Sequence, residues 1–172
     1  MAYSFTTTAG STIERELMIA YLNTGTAQSP TWSPLGARVE DSSAEYDWQD
    51  ETSRDILGIT RGHMRKPIIS QSFDPSKLDS ADVALTKIWE MAVKDQDVGA
   101  LTNQDMLIVH FYYADDTNYF AERYSSCMVK PTGLGGEGGG DISMPIEVTY
   151  GGTRSTGKAT STGGVVSFTA DP

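Results

Sequence analysis

The stretch Asp-Met-Leu-Ile-Val-His-Phe-Tyr-Tyr-Ala, residues 105–114, consists almost entirely of β-branched, aromatic and other apolar residues. Such residues are enriched in β-strands because their side chains pack well on a pleated surface. The next four residues, Asp-Asp-Thr-Asn at 115–118, are typical of a turn. Residues 119–130 return as a second long strand. The sequence therefore predicts a long antiparallel hairpin.

Further strands are predicted before and after this hairpin. Residues 44–48 alternate apolar and polar side chains, and Ala44, Tyr46 and Trp48 are expected on a buried face. The other predicted strands are residues 14–23, 36–40, 56–61, 66–73, 144–150 and 163–169.

Two segments are predicted to lie outside the strands. Pro30 and Pro34 bracket a short stretch that we expect to be a rigid connection. Residues 151–162 are rich in Ser, Thr and Gly, and we expect them to be exposed.

One amphipathic helix is predicted from about residue 80 to residue 94, where apolar residues recur at helical spacing on one face. Asp79 is its expected N-cap, and Asp82 would lie near the positive end of the helix dipole. One helix stands against seven or eight strands, and strands and helices do not alternate. The fold class is therefore mainly β, a β-sandwich or half-barrel with one packed α-helix.

The predicted organisation has three parts. Residues 1–13 form a flexible N-terminal arm, and residues 14–150 form the β-domain that carries the helix. Residues 151–172 form a Gly-, Ser- and Thr-rich C-terminal segment with a possible last strand.

Composition excludes several classes of protein. The 172 residues carry 13 basic and 23 acidic side chains, a net charge of −10. This is the opposite of the basic surface that nucleic-acid binding requires. The single cysteine, Cys127, excludes an intrachain disulfide. With only two histidines besides, little material is left for a zinc or copper site. No apolar run approaches the roughly 20 residues that span a membrane, and we expect no signal peptide.

Two motifs resemble ligand sites in sequence but lack the flanking residues or elements that such sites require. Residues 133–138 match the dinucleotide fingerprint G-x-G-x-x-G, but a strand is predicted next instead of a helix that would hold a pyrophosphate. Residues 95–99 begin like a calcium loop that lacks its final Glu, and we interpret them as the turn that ends the helix. His110 is expected to be a hydrogen-bonded structural residue. We therefore expect no enzymatic activity, no metal and no cofactor.

Charge is segregated between residues 40 and 66. Seven acidic residues and one basic residue lie between Glu40 and Asp55, whereas three basic residues and no acidic one lie between Arg61 and Lys66. Two interpretations stay open. The segments are either two solvated loops or complementary surfaces through which copies of the chain associate head to tail. Exposed ion pairs contribute only about 0–1 kcal/mol each, so such surfaces would set orientation more than affinity.

Several segments, taken in order over roughly residues 14–158, carry a resemblance to a known family. They are Glu16–Tyr21, Trp32, Leu35-Gly36, Asp55–Thr60, Phe73-Asp74-Pro75, Ala121–Tyr124, Val129-Lys130-Pro131, Gly133–Gly140, Met144-Pro145-Ile146 and Gly151-Gly152. In order and spacing they resemble the major tail tube proteins of long-tailed, siphovirus-type bacteriophages.

This resemblance implies a structural virion protein whose subunits form hexameric rings that stack into a hollow tail tube. The implied partners are further copies of the chain, the tape-measure protein, the tail terminator and the distal tail proteins. Double-stranded DNA would pass through the lumen without specific binding, and no membrane would be involved. The implied location is the virion tail, after assembly in the host bacterial cytoplasm. A capsid decoration or baseplate-hub binding module of similar β architecture is the alternative.

The ring-to-ring contact that this resemblance implies is expected in the loop with segregated charge. The residues expected to make it are Asp47, Asp50, Glu51, Arg54, Asp55, Arg61 and Arg65. No residue is assigned a catalytic, cofactor-binding or metal-binding role.

Overall fold

The structure, a computed structural model, describes residues 2–172. Strands hold 47% of the residues and helices hold 11%, which confirms the mainly β fold class. The strands in the described residues are β1 (Ser4–Phe5), β2 (Met18–Asn23), β3 (Trp32–Leu35), β4 (Ala44–Asp47), β5 (Glu51–Arg54), β6 (Thr60–His63), β7 (Ile68–Phe73), β8 (Gln104–Asp115), β9 (Asn118–Pro131), β10 (Ile146–Tyr150), β11 (Arg154–Thr162) and β12 (Val165–Ala170).

The helices are short. They are α1 (Val83–Trp89), a π-helical turn (Glu90–Lys94) that continues it, and α2 (Val98–Leu101), and a 3-10 turn (Arg15–Leu17) precedes β2. None of the helices in residues 2–172 is long and apolar enough to cross a membrane.

The hairpin predicted from the sequence lies at the centre of the sheet. β8 and β9 pair antiparallel, with Met106 opposite Tyr124 and His110 opposite Phe120, and the chain turns at residues 116–117. Beyond β8 the sheet continues through β2 to the edge strand β3. Beyond β9 two strands follow one another, with β10 along its C-terminal half and β11 along its N-terminal half.

The sheet divides beyond β9 because these two partners lead to different neighbours. β10 pairs with β7 and then β4, whereas β11 pairs with β12. The break between β10 and β11 falls at Gly151 and Gly152, and Gly152 has a φ of +73°, which favours glycine. β12 approaches β3, but the sheet formed by residues 2–172 does not close into a barrel.

Both faces of the central strands are buried, each in its own hydrophobic core. One face, with Leu22 and Ile108, belongs to the core that includes Leu85 of α1. The other face, with Leu107, belongs to a smaller core that includes Val166 of β12. Full burial of one such side chain contributes about 1.5–3 kcal/mol. The central strands therefore contribute to stability on two sides at once.

The predicted helix begins later than expected. The N-cap of α1 is Asp82, whose carboxylate accepts a hydrogen bond from the backbone N–H of Leu85 at 3.0 Å. Asp79, the expected N-cap, instead accepts a hydrogen bond from the N–H of Ala81 in the turn before the helix. Either aspartate could cap a helix, but only Asp82 directly precedes the residues with helical φ and ψ. The prediction of Asp79 as the cap is therefore wrong.

The strand expected at residues 36–40 is absent from the structure, and a strand lies just before it. Gly36 has a φ of +129° and Arg38 a φ of +60°, so the chain turns there instead of extending. The stretch expected to be a rigid connection forms β3, which includes Pro34. Proline is tolerated because β3 is an edge strand that pairs only with β2.

Residues 44–47 do form a strand, but of the face expected to be buried only Ala44 packs against the main core. Tyr46 and Trp48 are both about half exposed, and their rings stack at 6.2 Å between centroids. β4 pairs only with β7, at the edge of its half of the sheet. The alternating pattern predicted the strand correctly, but it could not show that Tyr46 and Trp48 lie beyond the edge of the core.

The C-terminal segment contains two strands where at most one was expected. β11 covers most of residues 151–162, which were expected to be exposed, and it buries Gly157 and Ala159. Its pairing with β9 and β12 uses backbone hydrogen bonds, which every residue except proline can donate and accept, whatever its side chain. The polar composition therefore concealed the strand.

Part of the predicted N-terminal arm is paired. Ser4 lies opposite Ala114 and Phe5 opposite Tyr113. Tyr3 stacks on Tyr113, with ring centroids 5.6 Å apart. Met1 lies outside the described residues, and the flexibility of the arm stays a prediction.

We predict that Gly157→Ala destabilises the fold. A Cβ at residue 157 would meet the carbonyl oxygen of Thr169 and would lie 2.8 Å from Cα of Ala170, so β12 must shift. We expect a loss of about 1–3 kcal/mol in the free energy of unfolding, measured by urea denaturation. Gly62→Ala is the matched control, because nothing lies within 4 Å of a Cβ at residue 62. Equal stability of the two variants would contradict the packing of β12 on β11.

Candidate assembly surface

The two sequence motifs that have the composition of ligand sites form loops and caps. Gly135 and Ser143 exchange two backbone hydrogen bonds, of 3.1 and 2.7 Å, which close the glycine-rich loop. The next regular element is β10, and no helix follows the fingerprint in the described chain. Asp97 caps α2 through a 2.9 Å bond from the N–H of Ala100. No group of three or more His, Cys, Asp or Glu residues among residues 2–172 could hold a metal ion.

A buried polar cluster lies on the central strands, on the face that packs against α1. Glu122 is at its centre, 2.9 Å from Nε2 of His110 and 2.9 Å from the hydroxyl of Tyr124. Nε of Arg154 donates to the same carboxylate at 2.6 Å. Nδ1 of His110 lies 2.7 Å from the hydroxyl of Tyr112. The cluster therefore connects β8, β9 and β11.

The hydrogen bonds of this cluster keep its carboxylate charged. Burial alone would raise the pKa of Glu122, but the bonds from His110, Arg154 and Tyr124 together lower it to about 2. Both oxygens of the carboxylate and both ring nitrogens of His110 have partners. These bonds agree with the structural role expected for His110.

Cys127 is equally enclosed. Its side chain is fully buried, and burial raises the pKa of its thiol to about 12. A thiol with so high a pKa is a poor nucleophile, because the thiolate is the reactive form.

The seven charged residues expected at the ring-to-ring contact lie in one protruding hairpin and its base. β5 and β6 form a separate two-stranded sheet, with Glu51 opposite His63 and Arg54 opposite Thr60. From residue 45 to residue 66 every residue is exposed except Asp55, which is partly buried. We call residues 45–66 the projecting hairpin.

Several of these charges pair with each other inside the projecting hairpin. Arg61 lies 3.6 Å from Asp55, and Arg65 lies 3.9 Å from Glu51. Nε of Arg54 donates to the carbonyl oxygen of Gly58. The structure thus brings the predicted residues together, while their role in contacts between rings stays a prediction.

The tip of the projecting hairpin is apolar, a feature that the charge pattern of residues 40–66 does not indicate. Ile56 is fully exposed, Leu57 is 79% exposed, and Ile59 is half exposed. The carboxylate of Asp55 accepts hydrogen bonds from the N–H groups of Leu57 and Ile59, and this holds the tight turn.

A strand was predicted for residues 56–61, and that prediction is wrong for most of its length. β6 begins only at Thr60. Gly58 has a φ of +80°, so the chain reverses there. The signal that could have revealed the turn is the Asp55-x-x-Gly58 spacing, since both residue types favour turns.

An exposed hairpin of this kind is not expected to be stable on its own. Two-stranded hairpins without a hydrophobic face are marginal in water. Exposed apolar side chains that cluster, as Ile56, Leu57 and Ile59 do, mark interaction surfaces. The projecting hairpin is therefore the best candidate for a contact with another molecule.

No protein-family model matches the chain, and no curated protein matches it. Among solved structures, the chain is similar to a chain of the sheath/tube terminator of PVC, an extracellular contractile injection system, in its extended state. The TM-score is 0.53 at 10% identity, over 87% of this chain and 99% of that chain.

Two further solved chains were found. One belongs to the PVC sheath-tube complex in its extended state, with a TM-score of 0.48 at 10% identity over 95% of each chain. The other belongs to the anti-feeding prophage cap, a tube-terminating cap, with a TM-score of 0.49 at 12% identity over 89% of this chain and 95% of that chain.

The likeness to the sheath/tube terminator structure shows a shared fold. This chain therefore has a fold that occurs in a tube-related assembly of a contractile injection system. The finer resemblance to siphovirus-type tail tubes stays a prediction.

We predict that Glu122 makes the stability of this protein dependent on acid pH. Its folded pKa of about 2 lies below the ordinary value of 4.5, so its contribution is full above pH 4.5 and is lost as the pH falls towards 2. Glu122→Gln lacks this dependence. The gap in unfolding free energy between wild type and Glu122→Gln should shrink by about 2 kcal/mol between about pH 6 and about pH 3.

Urea denaturation at the two pH values measures this gap. Glu147→Gln is the control, because that carboxylate is half exposed and pairs only with Lys130 at the surface. A gap for Glu122→Gln that changes with pH no more than the gap for the control does would contradict a charged, buried Glu122.

Proposed function

We propose that this chain is a structural subunit of a phage tail or tail-like tube and that its copies assemble into stacked hexameric rings. The observation that carries the proposal is the fold shared with the sheath/tube terminator structure over nearly the whole of both chains. The hollow centre of the stack would conduct double-stranded DNA to the host. The protein would act without enzymatic activity and without a cofactor.

The free edges of the sheet support assembly with neighbouring copies. β3, β4 and β12 each pair on one side only among the described strands. An exposed strand edge carries unpaired backbone groups, and a neighbouring strand can satisfy them. A contact between two different surfaces of the same chain closes into a ring when the rotation between copies allows it, and it continues into a filament when it does not.

The net charge of −10 supports a role in conducting DNA. A surface of the same sign as the phosphate backbone repels it, so a genome would pass along an acidic lumen without being held. The further proposed partners are the tape-measure protein inside the tube and the tail terminator and distal tail proteins at its ends. The proposed location is the virion tail, after assembly in the host bacterial cytoplasm, with no membrane involved.

A tube terminator is the second candidate function. It is favoured by the likeness to a solved sheath/tube terminator structure, which this chain matches with a TM-score of 0.53 over 99% of that chain. A terminator subunit would form a single ring that closes the end of a tube, whereas a tube subunit would form rings that stack without limit. A decoration or hub module would form neither.

We expect negative-stain electron microscopy of the purified protein at rising concentration to show six-fold rings and hollow tubes. Light scattering on the same samples gives the concentration at which tubes form. Rings that never stack, even when seeded with tail tips, would favour the terminator. A closed trimer or dimer that never polymerises under those conditions would overturn the tube proposal and favour a decoration module.

We further predict that Asp50→Lys and Arg65→Glu impair stacking but not folding. Both side chains lie in the projecting hairpin and are exposed, and reversing an exposed charge at a contact costs about 1 kcal/mol or somewhat more. The concentration needed for tubes should rise by roughly five- to tenfold. Asp95→Lys and Lys158→Glu are matched controls at exposed positions outside the hairpin. If the controls and the hairpin variants behave alike, the projecting hairpin does not make the stacking contact.

A further inference from the structure

We infer that the apolar tip of the projecting hairpin docks in a groove beside β3 on a second copy of this chain. This inference rests on the proposed self-assembly and adds to it the receiving surface. The tip consists of Ile56, Leu57 and Ile59, flanked by Arg54 and Arg61.

The groove lies where the edge strand β3 meets the start of β2. It has a volume of about 830 Å³. Its apolar lining includes Met18, Leu35, Val39 and Phe73. Leu35 and Phe73 are buried in the main core, so the floor of the groove is the outer surface of a rigid, packed region.

The rim of the groove is acidic. Glu14, Glu16 and Glu40 line it and are exposed, and no ion pair within residues 2–172 involves any of the three. Arg15 also lines the groove, but its guanidinium donates to the backbone carbonyls of Ser42 and Met18, at 2.8 and 2.6 Å. The carboxylates on the rim are therefore free to meet cations from another molecule.

The hairpin tip complements this groove in both polarity and charge. Three apolar side chains project from a turn that carries two cations, Arg54 and Arg61, and one anion, Asp55. Asp55 holds the turn and lies 3.6 Å from Arg61, and Nε of Arg54 donates to Gly58, so the tip keeps one net positive charge. Apolar side chains can fill the floor of the groove while the two arginines approach the glutamates on its rim.

The occupant is a second copy because the outer part of the hairpin, β5, β6 and the turn between them, does not fold back on its own chain. The hydrogen bonds of β5, β6 and the turn between them join residues within residues 51–63, and their ion pairs extend only to Arg65 at the base. Ile56 at the tip is fully exposed. One chain thus carries both a projecting apolar tip and a matching groove, and two such different surfaces make a head-to-tail contact that can repeat along a stack.

A second apolar groove, beside α2, fits the tip less well. It has a volume of about 540 Å³ and is lined by Val93, Val98, Met128 and Leu134 among others. Its only charged lining residue is Lys130, and it has no acidic residue to meet the arginines of the tip. Charge therefore favours the groove beside β3.

Disulfide cross-linking between two separately purified variants tests this contact. Leu57→Cys places a thiol on the tip, and Ala37→Cys places one in the groove at an exposed position. The native Cys127 is buried with a pKa raised to about 12, so it should stay silent under mild oxidation. The matched control is Val98→Cys, which is exposed in the groove beside α2.

We expect the 57–37 mixture to form a cross-linked heterodimer and the 57–98 mixture to form little. The double variant Ile56→Ser with Leu57→Ser should raise the concentration needed for tubes by roughly 100-fold, because two large apolar side chains would no longer be buried. Both positions are exposed, so the double variant should unfold at the same urea concentration as wild type.

The outcomes separate this inference from the proposed function. Tubes that form without a 57–37 cross-link, or that form normally from the double serine variant, would overturn the docking inference and leave the proposed function standing. Protein that never forms rings or tubes, even when seeded, would overturn both.

Discussion

The fold depends on the backbone pairing of one strand, β9, along both of its edges. β8 pairs with one edge, and β10 and β11 share the other. The chain can pass from β10 to β11 along this edge because it lies close to β9 at Gly151 and Gly152. A Cβ at Gly152 would lie 2.7 Å from the backbone nitrogen of Ser126, and one at Gly151 would lie 2.8 Å from its carbonyl oxygen. Two adjacent glycines thus let one strand serve two diverging halves of a sheet.

This arrangement explains why the central strands are buried while the projecting hairpin is not. The faces of β8 and β9 belong to two separate cores, one with α1 and one with β12. The first core is filled by the sheet together with α1 and the π-helical turn, the second by the central strands and the C-terminal hairpin, and residues 45–66 contribute to neither. The apolar residues at the hairpin tip therefore have no place in the interior of this chain. Their burial requires another molecule, which is the physical reason to look for function at this end of the protein.

The elements that could be predicted from sequence are those whose pattern is set by local burial. β8, β9, β10 and the helix have apolar side chains at the spacing of a strand or helix, and the structure contains all four. β3 and β11 could not be recognised in the same way. Each is a strand because of the neighbours with which it pairs in the sheet, and its side chains do not indicate this. Pro34 is tolerated only at an edge, and the Ser- and Thr-rich β11 is held by its two neighbours. For the candidate site, charge indicated the segment that the structure shows as the projecting hairpin, and its role in a contact stays a prediction. The apolar tip could not be predicted because Ile56, Leu57 and Ile59 are residue types that favour a strand. Only the turn at Gly58 prevents a strand there.

The cluster around Glu122 shows how this sheet selects a single register. Buried ion pairs contribute little net stability, because desolvation offsets most of the attraction. Their effect on alternatives is larger. A slip of one residue along β9 would move Glu122 to the opposite face, among the side chains of Leu107 and Val109 and away from His110 and Arg154. An unpaired buried charge costs several kcal/mol, so such a slip is strongly disfavoured. We therefore interpret the bonds from His110 and Arg154 as the feature that fixes β8, β9 and β11 relative to one another. A strand with partners on both edges needs such a feature, since backbone pairing alone would also permit a shifted register.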